Sequence, residues 1–208
     1  LVGAATVAEL SRRGRKVAVF EQGSPGGAVY EARIACIGTH MMDAEEMPLL
    51  IWSCRAWAGL AERCDSYEYR RCGQIRFVGD KRHLAAARRW VEMERSFGLR
   101  PEVIEPAQVR AIEPLLQGPL LAATWSPDDA VVNPFLAVRT LLRTAQDHGA
   151  VLHAEMPVLR LYAEAGRIVG FETAAGRIEA DIIVLASGPW TPRLAATLGV
   201  ALPIVPRK

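Results

Sequence analysis

The sequence has 208 residues, of which 50% are hydrophobic and 23% are charged, with a formal net charge of +2. This composition supports a folded core and excludes a disordered chain, and the small net charge gives no support for a nucleic-acid partner. The cysteines and histidines follow no metal-ligand spacing, and no apolar run reaches the roughly 18 residues of a membrane span. The sequence therefore predicts a soluble, cytoplasmic α/β protein with reduced cysteines, no metal and no membrane span.

The first elements predicted along the chain are a helix and a strand. Leu1 to Leu10 is rich in small and apolar residues, and Gly14 lies within a run of cations, as is typical of a helix C-terminus. Val17 to Phe20 is a short apolar run, typical of a strand buried in a parallel sheet, and Glu21 follows it.

This order matches the second half of a dinucleotide-binding unit. In that unit, glycines allow close approach to a pyrophosphate, the helix start binds it, and an acid binds ribose hydroxyls. Gly3 suits the third glycine, and Glu21 follows it by 18 residues, which is close to the expected spacing. The preceding strand and the first two glycines are absent from the sequence, so an ordinary helix–strand unit with an acid at the strand end is an open alternative.

The next two segments each have two interpretations. The stretch from Ala28 to Gly38 contains small residues that either let backbone lie against a flat ring system or form a tight connection. The stretch from Asp43 to Arg63 has a helical pattern with Asp43 as N-cap. The carboxylates of Asp43, Glu45 and Glu46 either compensate the helix dipole, which we favour, or hold a metal.

The middle of the chain predicts a mixture of strands and helices that suggests a second domain inserted in the nucleotide-binding fold. Strands are predicted at 67–71, 74–78, 120–125 and 130–132, and helices from Asp80 to Phe97, from Pro106 and after Asn133-Pro134. Asp128 and Asp129 could form a catalytic pair. A turn is the favoured interpretation, because neighbours in a turn seldom point the same way.

The last third predicts a return to the sheet. Val151 to His153 is a short strand, and the runs 158–162, 168–172 and 177–180 predict a three-stranded meander. Asp181 to Ala186 is almost continuously apolar and predicts a buried strand. It leads into Ser187-Gly188, at the end of the strand where doubly wound folds bind ligands.

Four segments, taken in order, resemble the FAD-dependent amine and amino-acid oxidases of the D-amino acid oxidase superfamily, in particular the glycine, sarcosine and opine oxidase group. The segments are 1–21, 128–134, 166–181 and 186–190. The resemblance implies a Rossmann-like, doubly wound α/β domain with a central parallel sheet and a β-meander, and an inserted α+β substrate domain, incomplete in this sequence. Residues 1–66 and 133–208 would form the FAD-binding domain, and 67–132 part of the substrate domain.

The resemblance also implies which residues contact FAD. At the adenosine and pyrophosphate end, the implied contacts are Gly3, Ala4, Glu21, Gln22 and the backbone of Val158. Near the flavin, they are Ala35, Cys36, Gly38, Ser187, Gly188 and Trp190. Arg33 and Ile34 depart from the usual Ser/Thr-rich approach to the flavin loop, and a packing role remains open for Val158 and Trp190.

The implied chemistry is oxidation of an amine or amino acid, in which hydride passes from the carbon next to nitrogen to the flavin and an imine forms. Dioxygen or an electron-accepting partner would reoxidise the flavin. The clamp for the substrate carboxylate would lie beyond Lys208, so no catalytic residue is assigned. Alternatives are a non-catalytic or electron-transferring subunit of a multi-subunit dehydrogenase, a subunit of a larger oxidase, and an inactive fragment.

A central strand of this fold is missing from the sequence. It would lie between Val17–Phe20 and Asp181–Ala186, and its absence would leave two rows of backbone groups unpaired. Each buried unpaired group costs roughly 1–3 kcal/mol. We therefore expect the 208 residues alone to bind FAD weakly or not at all.

Overall fold

The structure, a computed structural model, describes residues 1–27, 35–64 and 66–205. The helices are α1 (Val2–Arg12), α2 (Met47–Ala61), α3 (Lys81–Ser96), α4 (Pro106–Ile112), α5 (Pro134–Asp147) and α6 (Thr191–Ala196). The strands are β1 (Ala18–Phe20), β2 (Ala35–Ile37), β3 (Gln74–Val78), β4 (Glu102–Ile104), β5 (Ala122–Ser126), β6 (Ala130–Val132), β7 (Val151–His153), β8 (Arg160–Glu164), β9 (Arg167–Thr173) and β10 (Gly176–Glu179).

The chain divides into two units. Leu1–Arg33 and Pro134–Lys208 form one, which we name the terminal unit, and Ile34–Asn133 forms the other, the central unit. The assignment of 1–66 and 133–208 to cofactor binding and of 67–132 to substrate binding stays a prediction.

Helix α1 packs against α5 in the terminal unit. Small side chains at this contact allow the two helices to approach closely, and β1 pairs in parallel with β7 beside them. Val19 of β1 and Leu152 of β7 pack against the same core. The buried cluster consists of Ala4, Val7, Ala8, Val138, Leu142, Ala145 and Ala150. The predicted order of helix, turn and parallel strand is thus confirmed for α1 and β1, but the predicted burial of the strand is wrong, because Ala18 is exposed and Val19 and Phe20 are half-buried.

The predicted meander is also confirmed in the terminal unit. β9 lies between β8 and β10 in an antiparallel sheet, with a β-bulge between Tyr162 and Ala163. Gly170 of β9 is required by packing, because a Cβ there would collide with the carbonyl oxygen of Ile178 on β10. The first strand starts at Arg160, so Val158 lies two residues before the sheet.

The central unit contains two antiparallel sheets, one with the strand order β3-β5-β4 and the other of β2 and β6. Helix α3 follows Asp80, whose carboxylate accepts the N–H groups of Arg82 and His83 at 2.8 and 3.1 Å. This cap confirms the predicted helix start. Strand β4 was not predicted, because its three residues are too few to show an alternating pattern.

Three predictions for the central unit are wrong, two of them about a whole element and one about where helix α2 begins. Residues 35–37 form a strand instead of part of a loop, while 28–34, with Arg33 and Ile34, lie outside the described residues. Helix α2 begins at Met47, not at Asp43, because Pro48 inside a longer helix would clash with the carbonyl of residue 44. The run 67–71 forms only a bridge from Arg70 to Val131, since Glu68 has a φ of 56°, outside the extended region.

The predicted strand at 181–186 is wrong as well. This segment forms no ladder with any strand in the described part of the chain. Ile182 and Val184 are 83% and 56% exposed instead of buried. An apolar run is stable as a buried strand only when a neighbour satisfies its backbone N–H and C=O groups, and the described sheets offer it no such neighbour.

Candidate functional site

The amino end of α1 presents backbone N–H groups that the helix itself does not use. The first intrahelical bond runs from the Ala5 N–H to the Leu1 carbonyl at 2.9 Å. The N–H groups of Val2, Gly3 and Ala4 precede this bond and belong to the first turn of the helix, whose backbone donors are not used within the helix. Among the described residues, no side chain caps this end. Such a helix end favours an anion, because the N–H groups and the helix dipole act in the same direction.

Gly3 and Ala4 have different surroundings within α1. A Cβ on Gly3 would lie 3.1 Å from the Cβ of Ala186, so the missing side chain allows close packing of α1 on the 181–187 segment. Ala4 is 6% exposed, and its methyl group belongs to the core beside α5. Gly3 therefore has the packing environment of a third glycine, while Ala4 has only its backbone N–H to offer a ligand.

Glu21 is held in place at the end of β1. Its N–H donates to the His153 carbonyl at 2.9 Å, and its carbonyl accepts the Met156 N–H at 2.9 Å. Its Oε1 accepts the Gly23 N–H at 3.0 Å. These hydrogen bonds fix Glu21 at the carboxyl end of β1, the strand that packs beside α1.

The other predicted contacts of the terminal unit are accessible. Ser187 is half-buried, with its Oγ 3.1 Å from Oγ1 of Thr191. Gly188 starts a single 3₁₀ turn that ends at Trp190, and the Trp190 side chain is 38% exposed. Gln22 is exposed and Val158 half-buried. This exposure contradicts the alternative interpretation in which Trp190 is a buried core residue.

The residues of the central unit that are predicted to contact the flavin lie on β2 and just after it. Ala35 is half-buried and Cys36 exposed. Gly38 has a structural explanation of its own, because a Cβ at this position would collide with the carboxylate of Asp129. That carboxylate accepts the N–H groups of Thr39 and His40 at 3.3 and 3.4 Å.

Asp128 and Asp129 do not form a catalytic pair. Asp128 is bound at the surface by Arg100, whose Nε donates to Oδ2 at 3.0 Å, and this bond lowers the pKa of Asp128. Asp129 is 4% exposed and accepts the Ser126 hydroxyl at 3.0 Å, and burial raises its pKa. The two carboxylates point to different surroundings, as the favoured turn interpretation implies.

The sequence interpretation missed a buried polar cluster in the central unit. His40 Nδ1 lies 3.0 Å from Glu94 Oε2, and His40 Nε2 lies 2.7 Å from Thr124 Oγ1. The Met41 N–H donates to Glu94 Oε1 at 2.6 Å. A hydroxyl, an imidazole and a carboxylate in this order resemble a nucleophile–base–acid triad. However, Thr124 is 1% exposed and His40 and Glu94 are equally buried, so no substrate reaches the hydroxyl.

One sequence signal could have revealed Glu94. It lies seven residues after Ala87 and three after Val91, on the face of α3 that these buried residues define. A carboxylate on an apolar helix face needs a buried partner, and the partner is most often a cation or histidine. His40 and Thr124, which are 54 and 84 residues from their partners, carry no comparable local signal.

In the described part of the chain, no three ligating side chains form a group that could hold a metal ion. Nor does any helix among these residues have the length and apolar character needed to cross a membrane.

Comparison with known proteins decides the family. The sequence profile described as "FAD dependent oxidoreductase" matches residues 1–208, the whole chain. The chain belongs to this family. Its predicted fold class is confirmed: a Rossmann-like α/β domain with an inserted α+β part, incomplete relative to other members, and its cofactor class is FAD.

Three similar proteins illustrate the relationship. A D-amino acid dehydrogenase of Paramagnetospirillum magneticum is 34% identical over 151 residues, which cover 71% of this chain and 36% of that protein. The crystal structure of an L-proline dehydrogenase from P. horikoshii has a TM-score of 0.88 and 26% identity, covering 96% of this chain and 53% of that one. A glycine oxidase from Geobacillus kaustophilus has a TM-score of 0.87 and 25% identity, covering 96% and 56%.

The chain thus spans about a third of the length of the curated relatives and about half of the solved structures. The residues present fit one end of FAD. The uncapped start of α1 suits a pyrophosphate, and only Oε1 of Glu21 accepts a hydrogen bond among the described residues, which leaves Oε2 for a ribose hydroxyl.

Proposed function

We propose that this chain provides the pyrophosphate- and ribose-binding half of the FAD site of an amine or amino-acid oxidoreductase. One observation carries the proposal: Glu21 is fixed at the end of β1, the strand that packs beside α1, and the first turn of that helix contains Gly3, which has no side chain. The N–H groups of Gly3 and Ala4 would hold the pyrophosphate, and Glu21, with Gln22 beside it, the adenosine ribose. When bound, FAD would accept a hydride from the carbon next to the substrate nitrogen.

The remaining predicted contacts are part of the same proposal. Val158 would present its backbone to the adenine. The residues proposed near the flavin are Ala35, Cys36, Gly38, Ser187, Gly188 and Trp190. These roles rest on the sequence resemblance, supported by the accessibility of the Cys36, Gly188 and Trp190 positions.

An amino acid is the proposed substrate class, because the similar proteins are named as a D-amino acid dehydrogenase, an L-proline dehydrogenase and a glycine oxidase. Those names include both dehydrogenases and an oxidase, so the electron acceptor is proposed as dioxygen or a partner protein. We also propose a cytoplasmic location, because Cys36, Cys54, Cys64 and Cys72 are all free and disulfides are rare in that compartment.

A titration with FAD and with FMN tests the cofactor proposal. FMN lacks the adenosine and has a single phosphate, so the chain should bind FAD more tightly, with NMR shifts at the amides of Gly3, Ala4 and Glu21. Glu21→Gln should weaken FAD binding about tenfold, because it removes a charge-assisted hydrogen bond. Glu9→Gln, an exposed acid on α1, is the matched control. Equal affinity for both flavins, or equal effects of the two substitutions, would contradict the proposal.

A second measurement tests the chemistry. The chain spans about half the length of the solved relatives, so the reaction is tested in a longer protein that contains it. Mixing that protein with glycine, L-proline or D-alanine without oxygen should bleach the visible absorbance of the bound flavin. Recovery in air indicates an oxidase, and recovery only with a dye acceptor indicates a dehydrogenase. Binding of FAD without bleaching by any amine would support the alternative of a non-catalytic flavoprotein subunit.

A further inference from the structure

A shallow groove lies on the central unit, between the turn before α2 and helix α3. Its volume is about 340 Å³, within the range of roughly 300–1,000 Å³ that small-molecule sites occupy. The apolar lining consists of Ala44, Ala86, Trp90 and Met93. The groove therefore offers an aromatic and aliphatic surface of the size of a small ligand.

Charges of opposite sign line the two walls of this groove. Asp43 and Glu45 come from the turn, and Arg89 comes from α3. All three side chains are exposed, and among the described residues no salt bridge includes any of them. The groove is thus complementary to a ligand that carries both an ammonium and a carboxylate.

The acidic wall is fixed to α3 by the buried cluster. The Met41 N–H donates to Glu94 at 2.6 Å, and His40 Nδ1 lies 3.0 Å from the same carboxylate. Glu94 lies on the helix that carries Arg89 and follows Met93 directly. One buried and one partly buried hydrogen bond therefore join the segment leading to one wall of the groove with the helix that forms the other.

The same segment contains backbone strain. Met41 has a φ of 62°, a left-handed conformation that residues with a side chain seldom adopt. Such a conformation persists only where the surroundings hold it, and it is often found at ligand sites. A wall held in this way does not need to be ordered when a ligand binds, which favours affinity.

We propose that this groove binds a small zwitterion with an apolar body, of which a free aromatic amino acid is the simplest example. Its ammonium would face Asp43 and Glu45, its carboxylate would face Arg89, and its side chain would lie on Trp90. His40 and Glu94 are positioning residues that hold the acidic wall. The proposal goes beyond FAD binding and uses none of the residues assigned to it.

Three probes with the same ring and different charges test the proposal by NMR titration of the 208-residue chain. Phenylalanine carries both charges, phenethylamine only the ammonium, and 3-phenylpropionate only the carboxylate. Phenylalanine should bind with a dissociation constant on the order of 1 mM, and more tightly than either other probe. The amides of 43–45 and the indole N–H of Trp90 should shift. Equal binding of the three probes, or shifts confined to other residues, would overturn the proposal.

Neighbouring arginines give a matched pair of variants. Arg89→Ala should weaken phenylalanine binding about tenfold and leave phenethylamine unchanged, because only the carboxylate contact is lost. Arg88→Ala, exposed on the same helix and outside the groove lining, should change neither. Equal effects of the two substitutions would overturn the assignment of Arg89. Since FAD binding is measured at Gly3 and Glu21, failure of this proposal is distinguishable from failure of the proposed function.

Glutamates on α3 test the positioning role in the same way. Glu94→Gln should speed amide hydrogen exchange at 39–41 and weaken phenylalanine binding at least threefold. Glu92→Gln, exposed on the same helix, should do neither. Rapid exchange at 39–41 with unchanged phenylalanine affinity would show that Glu94 supports the fold without positioning the groove.

Discussion

Asp128 and Asp129 show how far neighbouring residues of one type can differ. Asp128 is stabilised as an anion by Arg100 at the surface. Asp129 is buried, and its hydrogen bonds from Ser126, Thr39 and His40 only partly offset the cost of burying the charge. The two carboxylates are therefore shifted in opposite directions from the same ordinary pKa.

We expect Asp129→Asn and Asp128→Asn to change the pH dependence of the unfolding free energy with opposite signs. The folded-state pKa of Asp129 is raised above the ordinary value of 3.8. Its contribution to the unfolding free energy is therefore fully present below pH 3.8 and is lost as the pH rises through the folded-state pKa. The folded-state pKa of Asp128 is lowered, so its contribution is present above 3.8 and is lost as pH falls.

Urea unfolding of the wild type and both variants between about pH 3 and pH 7 measures these differences. The unfolding free energy of the wild type minus that of Asp129→Asn should fall as the pH rises. The unfolding free energy of the wild type minus that of Asp128→Asn should increase as the pH rises. Differences that change in the same direction would show that the two environments are not as described.

Gly38 has a steric role next to the same carboxylate. We expect Gly38→Ala to lower the unfolding free energy by about 1–3 kcal/mol, because the new methyl group must displace Asp129 or the backbone that Asp129 binds. Gly79→Ala, in the same unit, adds a methyl group with nothing within 4 Å and should change stability little. Comparable losses in urea unfolding for the two variants would contradict the steric explanation.

At the scale of elements, the sequence predicted the bounds of several helices and strands from local signals, but it did not predict which strands pair. The bounds of β3, β6 and β7 match the sequence prediction, and the Asp80 cap and Pro134 start were recognised, because each depends on residues adjacent in sequence. The segment 181–186 has the same apolar pattern as β1, yet no strand in the described part of the chain pairs with it. A strand requires a partner that its own residues do not encode.

In the candidate site, too, residues close in sequence were recognised and contacts between distant residues were not. Gly3 and Glu21 were recognised because they belong to one helix–strand unit with a known spacing. The contacts of His40 with Glu94 and Thr124 join residues 54 and 84 positions apart, and no periodic pattern carries that information. Long-range polar contacts of this kind become visible only when the fold is known.

The contact between α1 and α5 should contribute strongly to the stability of the terminal unit. Val7 is 2% exposed in this contact, whereas Val2 of the same helix is 71% exposed. We expect Val7→Ala to lower the unfolding free energy by about 2 kcal/mol, from two buried methyl groups and the cavity that they leave. Val2→Ala should change it by less than about 0.5 kcal/mol. Equal changes, measured by urea unfolding, would mean that α1 does not pack on α5 as described.

At the scale of the whole molecule, the exposed apolar segment 181–186 should govern the behaviour of the chain in solution. Ile182 and Val184 are exposed in a segment without helix or strand, and within the described residues β1 pairs with β7 alone. Extended apolar segments and free strand edges favour pairing between molecules, which leads to aggregation. The same features leave room for the additional strand that the resemblance implies.

We expect the double substitution Ile182→Lys and Val184→Lys to increase the monomeric fraction of the purified chain severalfold. The added charges oppose strand pairing between molecules, and the side chains are exposed, so the unfolding free energy should change little. Light scattering against protein concentration measures the effect. Ile182→Val with Val184→Ile keeps the segment apolar and should aggregate like the wild type. Leu115→Lys, an isolated exposed position of the central unit, should help much less; an equal benefit there would show that net charge, and not this segment, controls aggregation.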